Sequence, residues 1–124
     1  MQEFRYKIVP HVGDWREAKT VQKAYELNTP VTQITETYHK GSLTQSLRGI
    51  KISNQNIIAT VFKRAEDDNG YILRCYETLG CDCETDIEIP FTQKSWTANF
   101  GKCEIKTFFI PDNGEVIEKN LLEM

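Results

Sequence analysis

Apolar and polar residues alternate at period two from Ile50 onward, broken by short turn-forming clusters, and this restricts the chain to antiparallel β architectures. Thr85, Ile87 and Ile89 alternate with Asp86 and Glu88 up to Pro90, and Cys103, Ile105, Thr107 and Phe109 alternate with Glu104 and Lys106. Both segments are expected as strands with one wet face, because successive side chains of a strand point to opposite sides of the sheet. Ile50 and Ile52, the polar run 53–56 and the segment 57–63 predict two strands joined by a tight turn, a hairpin. Asn69-Gly70 tolerates positive φ and predicts a type I′ turn, from which the chain returns as the strand Tyr71 to Glu77. Asp112-Asn113-Gly114 marks a further turn before a strand from Val116 to Leu122.

The N-terminal third reads differently. Phe4, Tyr6 and Ile8 alternate with Arg5 and Lys7, and Pro10, which has no amide donor, ends that strand pattern. Asp14 followed by Glu17 reads as a capping box, and Trp15, Ala18, Val21 and Tyr25 recur at helical spacing until Asn28-Thr29-Pro30. A Thr-rich strand from Thr32 to Tyr38 and a polar loop from Lys40 to Arg48 are expected next. Seven or eight short strands and one short N-terminal helix make the expected fold mainly all-β, an antiparallel β-sandwich. With 124 residues the chain has enough surface to bury for one core, so a single domain over 1–124 is the expectation.

Charge narrows the partners. Fifteen Lys+Arg stand against 18 Asp+Glu with no basic stripe, which argues against a nucleic-acid partner. The longest apolar run, 56–62, falls far short of the roughly 20 residues a membrane span needs. The first residues alternate charge and aromatics where a secretory signal would place an apolar run, so a cytoplasmic location is expected if Met1 is the natural start.

Few residues offer self-contained chemistry. Cys75, Cys81, Cys83 and Cys103 read mainly as small buried hydrophobes; zinc ligation is less favoured because Cys75 and Cys103 each lie alone inside an apparent strand, and a disulfide because the expected compartment is reducing. Two histidines, His11 and His39, no nucleophile-elbow serine and no phosphate-cradling glycine loop leave little for nucleophilic or nucleotide chemistry. Glu66, Asp67 and Asp68 offer clustered carboxylates, but at a hairpin tip, where like charges stay solvated. Arg74 and Glu77, flanking Tyr76 in a core-like strand, make Arg74 the charged residue expected to hold a fixed partner. His11 is either a corner-fixing histidine or a ligand. Trp15 is in phase with the helix's apolar face, and Trp96 lies in a polar neighbourhood, where it is either buried or open as a sugar-stacking platform.

Several stretches together carry a family resemblance. Tyr6 to Ala18 with Asn28-Thr29-Pro30, Lys63 to Asp67 leading through Gly70 to the run Tyr71–Glu77, Glu104 to Thr107, and Asn120 to Glu123 resemble the C-terminal region of glycoside hydrolase family 38 α-mannosidases. The resemblance implies a galactose mutarotase-like β-sandwich packed on a catalytic α/β domain. The parent enzymes it implies are retaining hydrolases of terminal α-mannosidic bonds, with zinc held by His and Asp and an Asp nucleophile in the N-terminal part of the family's chain. His11 is followed by Val12-Gly13 and His39 by Lys40-Gly41, so no His-x-Asp motif is present and no catalytic or metal-binding role transfers to any residue here. The expectation is a fragment without a cofactor of its own that supports the catalytic domain and the rim of the sugar pocket, with mannosides reached through the parent. His11, Trp15, Arg74, Tyr76, Glu77 and Trp96 are the candidate carbohydrate or domain-interface residues. An independent carbohydrate-binding module is the alternative, followed by a small mutarotase-like isomerase. Self-association through an uncovered apolar face is also expected.

Overall fold

A computed structural model describes residues 3, 4, 6–42, 44–67 and 69–124. The chain divides into two compact units, residues 1–42 and 43–124.

In the first unit the expected strand at residues 4–8 does not form among the described residues, which are irregular and exposed apart from the partly covered Val9 that follows; Arg5 lies outside the described residues. An alternating segment with no neighbouring strand to accept its amides gains nothing from extension. The same holds for Thr32–Tyr38, which is irregular and exposed. The helix α1 spans Thr20–Asn28, beginning six residues after the expected cap. Asp14 does act as a cap, but of the preceding turn: its Oδ1 accepts from the amides of Arg16 at 2.8 Å and Glu17 at 3.1 Å. The Glu17 and Arg16 amides hold the Asp14 carboxyl below its usual range. Lys19, in the left-handed region at φ 53°, separates that turn from α1. The helix ends where Asn28-Thr29-Pro30 predicts.

The second unit is a sandwich of two antiparallel sheets. Its strands are β1 (Lys51–Ile52), β2 (Ile57–Arg64), β3 (Gly70–Glu77), β4 (Cys83–Ile89), β5 (Lys94–Phe100), β6 (Ile105–Pro111) and β7 (Ile117–Lys119). One sheet has the order β1-β4-β5 and the other β2-β3-β6-β7. The core lies between them: Leu73 and Cys75 of β3 and Phe108 and Ile110 of β6 face Ile87 and Ile89 of β4 and Ala98 and Phe100 of β5. These residues sit two apart within each strand, the spacing that puts side chains on one face.

Three expectations are corrected. β1 and β2 do not form a hairpin. β1 pairs with β4, Lys51 opposite Glu88, while β2 pairs with β3, so the polar run between them carries the chain from one sheet to the other. The β2–β3 connection is also longer than a two-residue type I′ turn, since the Ala65 amide donates to the Gly70 carbonyl and the loop lies between them. Gly70 belongs to β3 and has no positive φ. A Cβ there would stand 2.4 Å from the Ile110 carbonyl oxygen and 2.8 Å from the Pro111 Cα, so glycine is required by the close approach of β6. Cys103, finally, lies outside β6 in the preceding turn, in the left-handed region at φ 55°.

One strand was not anticipated. β5 carries Trp96, Ala98 and Phe100 inward, alternating with Ser95, Thr97 and Asn99, and follows β4 through a 3-10 turn at Pro90–Thr92 closed by Gln93 at φ 57°. Its period-two pattern was legible, but its polar positions are uncharged and its inward positions mix large and small side chains. β7 is shorter than the expected 116–122 because the Asn120 Oδ1 accepts the Leu122 and Met124 amides and turns the tail away.

Candidate functional site

The crossovers from β1 to β2, β3 to β4 and β5 to β6 all lie at one end of the sandwich, where loop amides have no strand partner. Glu77, the last residue of β3, supplies the acceptor. Its side chain is 0% exposed. Oε1 accepts from the Leu79 amide at 2.8 Å, and Oε2 accepts from Gly80 at 2.8 Å, Cys81 at 3.3 Å and Cys103 at 2.9 Å. Burial alone would raise this carboxyl, but the amides of Cys103, Leu79, Gly80 and Cys81 together hold it below its usual range. Gly80 at φ 71° and Cys103 at φ 55° supply the left-handed turns that aim those amides inward. The third crossover joins through Asn56, whose carbonyl accepts from the Thr78 amide at 2.9 Å and hydroxyl at 2.8 Å. Asn56 also directs its Nδ2 to the Cys81 sulfur at 3.2 Å. One buried anion thus ties two crossovers between the sheets, a structural centre rather than an acid or base facing a substrate.

Arg74 lies three residues earlier, on the outer face of the same strand. Cross-strand register sets it opposite Thr107, and its Nε donates to the Thr107 hydroxyl at 3.1 Å. Its Nη2 donates to the Leu121 carbonyl at 3.0 Å and lies 3.3 Å from the Glu123 carboxylate, which Lys63 also reaches at 3.0 Å. A planar fork meeting three acceptors clamps the C-terminal tail across the β2-β3-β6-β7 sheet. Beside this clamp the tail and the β2–β3 loop enclose a cleft of about 570 Å³, lined by Ile72, Phe109 and Leu122 with Glu66 and Lys119 at its polar side. Asp67, also in the lining, accepts from the Asn69 side chain at 2.8 Å; Asp68 lies outside the described residues. Replacing Arg74 by Ala is expected to lower the unit's stability by about 1–2 kcal/mol and to speed amide exchange at residues 121–124. Arg74→Lys is expected to recover less than half of this, because an ammonium cannot span the three acceptors. Denaturation midpoints and hydrogen exchange read both.

The remaining candidates are placed as follows. Tyr76 is half-buried on the Arg74 face of β3, paired with Ile105 and Ile58 in register. Trp96 packs edge-on against Phe108 at 5.3 Å, and its Nε1 is buried without an acceptor among the described residues. It lines a groove of about 410 Å³ with Val116, Lys106 and Glu118. His11 and Trp15 belong to the first unit. His11 is exposed, and Trp15 is 40% exposed with the Arg16 guanidinium 4.5 Å above its ring. Arg74, Tyr76 and Glu77 therefore share a strand, with Glu77 facing the core side and the other two the outer side, while Trp96 sits in the opposite sheet. Sequence reasoning singled out Glu77 but missed its loop partners. The one available signal was a carboxylate ending an apolar strand directly before Thr78-Leu79-Gly80. Among the described residues no group of His, Cys, Asp and Glu is arranged to hold a metal ion, and no helix is long and apolar enough to cross a membrane.

Comparison with known proteins places this architecture. Residues 56–98, which run from the start of β2 into β5, match the glycosyl hydrolases family 38 C-terminal beta sandwich domain. That segment resembles the family 38 C-terminal sandwich. The chain is 28% identical over 93 residues to Alpha-mannosidase 2C1 of Homo sapiens, covering 71% of this chain and 9% of that protein. It is 32% identical over 80 residues to Alpha-mannosidase G of Dictyostelium discoideum, covering 63% of this chain and 7% of that one. The Mus musculus Alpha-mannosidase 2C1 is 29% identical over 93 residues. The chain therefore spans less than a tenth of the length of these relatives. No solved structure matches it. Arg74, Tyr76, Glu77 and Trp96 fall inside the matched residues, whereas His11 and Trp15 fall outside them.

Proposed function

We propose that residues 43–124 act as a non-catalytic C-terminal sandwich of a family 38 α-mannosidase, with residues 1–42 part of the same fragment. In this reading the parent hydrolyses terminal α-mannosidic bonds with a zinc ion held in its own catalytic domain, and the sandwich supports that domain and the sugar-pocket rim. The observation that carries it is the match of residues 56–98 to a domain defined by its C-terminal place in these hydrolases. The structural use of Glu77 and Arg74 supports it, since both spend their charge on the chain's own amides, carbonyls and carboxylates. Four free cysteines suit a reducing, cytoplasmic setting.

The test is an assay of this polypeptide with an aryl α-mannoside and added zinc. No turnover above background is expected; robust turnover would overturn the reading. Kinetics of the full parent with Arg74→Ala or His11→Ala test the supporting role, and unchanged stability and turnover in both would remove it.

A further inference from the structure

The end of the sandwich that Glu77 organises also gathers thiols. The Cys81 and Cys103 amides donate to the same Glu77 oxygen, at 3.3 and 2.9 Å, so the two backbone nitrogens lie within about 6 Å of each other. The Cys81 sulfur lies 3.7 Å from Glu77 Oε1. The Cys103 sulfur stands 3.7 Å from where a Cβ on Gly80 would be, beside the residue that precedes Cys81, and glycine leaves that approach open. Cys103 is exposed and Cys81 half-buried, so the Cys103 thiol meets a solution reagent more readily. Burial pushes the Cys75 thiol up to about 12, and burial followed by the charge of Glu77 raises Cys83.

We propose that Cys81 and Cys103 form a reversible disulfide by exchange with a low-molecular-weight disulfide of the glutathione class. The Cys103 thiolate attacks one sulfur of the reagent, whose S–S bond breaks, and the departing thiolate takes up a proton. The Cys81 thiolate then attacks the Cys103 sulfur of the mixed disulfide and expels the second reagent thiol. Two protein thiols lose two electrons and two protons, and the reagent disulfide gains both. The bridge would tie the β3–β4 crossover to the β5–β6 crossover at the place where Glu77 already holds them by hydrogen bonds.

The experiment equilibrates the protein in glutathione buffers of increasing oxidised fraction, quenches with acid, alkylates free thiols and maps the peptides by mass spectrometry. A single bridge joining the Cys81 and Cys103 peptides is expected, with a loss of about 2 Da reversed by dithiothreitol. It should be absent in Cys103→Ser, an exposed substitution, and retained in Cys83→Ser. A bridge that maps to Cys83, or stable glutathione adducts without an internal bridge on protein whose circular dichroism is native, would overturn the proposal.

Discussion

Replacing Glu77 by Ala is expected to destabilise the sandwich by about 3–5 kcal/mol, the largest effect of any single polar substitution considered. Four backbone amides now converge on its carboxylate at 2.8–3.3 Å in a site closed to water. Alanine would leave them without an acceptor, and each buried, unpaired donor costs about 1–3 kcal/mol before the loops relax toward solvent. Glu77→Gln keeps one acceptor oxygen but turns an amide donor toward amide donors, so about 2–3 kcal/mol is expected. Urea denaturation followed by tryptophan fluorescence measures both, with Trp96 reporting on the core.

The same carboxylate predicts a pH dependence. Its folded pKa lies below the ordinary glutamate value of about 4.5, because the amide bonds outweigh burial. Above that value both folded and unfolded forms are ionised, and the contribution is fully present. As pH falls below about 4.5 the unfolded chain takes up the proton first, so stability declines until the folded carboxyl is itself protonated. The denaturation midpoint of the wild type is expected to drop between pH 6 and pH 3, and Glu77→Gln should show a shallower drop. Equal slopes in the two proteins would mean that other carboxylates carry the acid sensitivity.

Gly70→Ala is expected to lower stability by about 2–3 kcal/mol, a fall in Tm of the order of 10–15 °C for a unit of this size. The added Cβ meets the Ile110 carbonyl oxygen, the Pro111 Cα and the Phe109 ring edge, all closer than 3.0 Å. Two of the three are backbone atoms of the paired strand β6, so relief requires the β3–β6 ladder to open at Gly70↔Pro111. A glycine kept for positive φ would accept Asn well, whereas one kept for space would not. Gly70→Asn is therefore expected to be at least as damaging as Gly70→Ala, and thermal melts of the two variants decide between the causes.

What could be read in advance follows the range of the forces involved. The strands β2, β3, β4 and β6 announce themselves because alternation and turn residues are local, and a half-buried strand needs little else to be recognised. β5 was missed for want of charged residues on its wet face, although Trp96, Ala98 and Phe100 alternate as the others do. The N-terminal segment fails in the opposite way: Phe4, Tyr6 and Ile8 alternate, but a strand is stabilised only by a neighbour, and among the described residues none pairs with it. At the candidate site, Arg74 and Glu77 were legible as charges in an apolar strand. Their partners were not, because Thr107, Leu121 and Glu123 stand 33 to 49 residues away and Cys103 stands 26 away.

The amino-acid sequence by itself determined that residues 50–124 make an antiparallel sandwich, and its motifs carried the resemblance to family 38. Alternation marks where strands run and turn residues where they reverse, but not always the inward face. In β6 Phe108 and Ile110, in phase with Lys106, enter the core, while Ile105 of the expected apolar face is exposed. Only the tertiary structure decided that β1 leaves β2 to pair with β4, that Gly70 serves a close approach rather than a turn, and that Glu77 is the anchor of two crossovers. Each of those outcomes depends on strands from distant parts of the chain meeting, and periodicity along one segment carries no information about which neighbour it will meet.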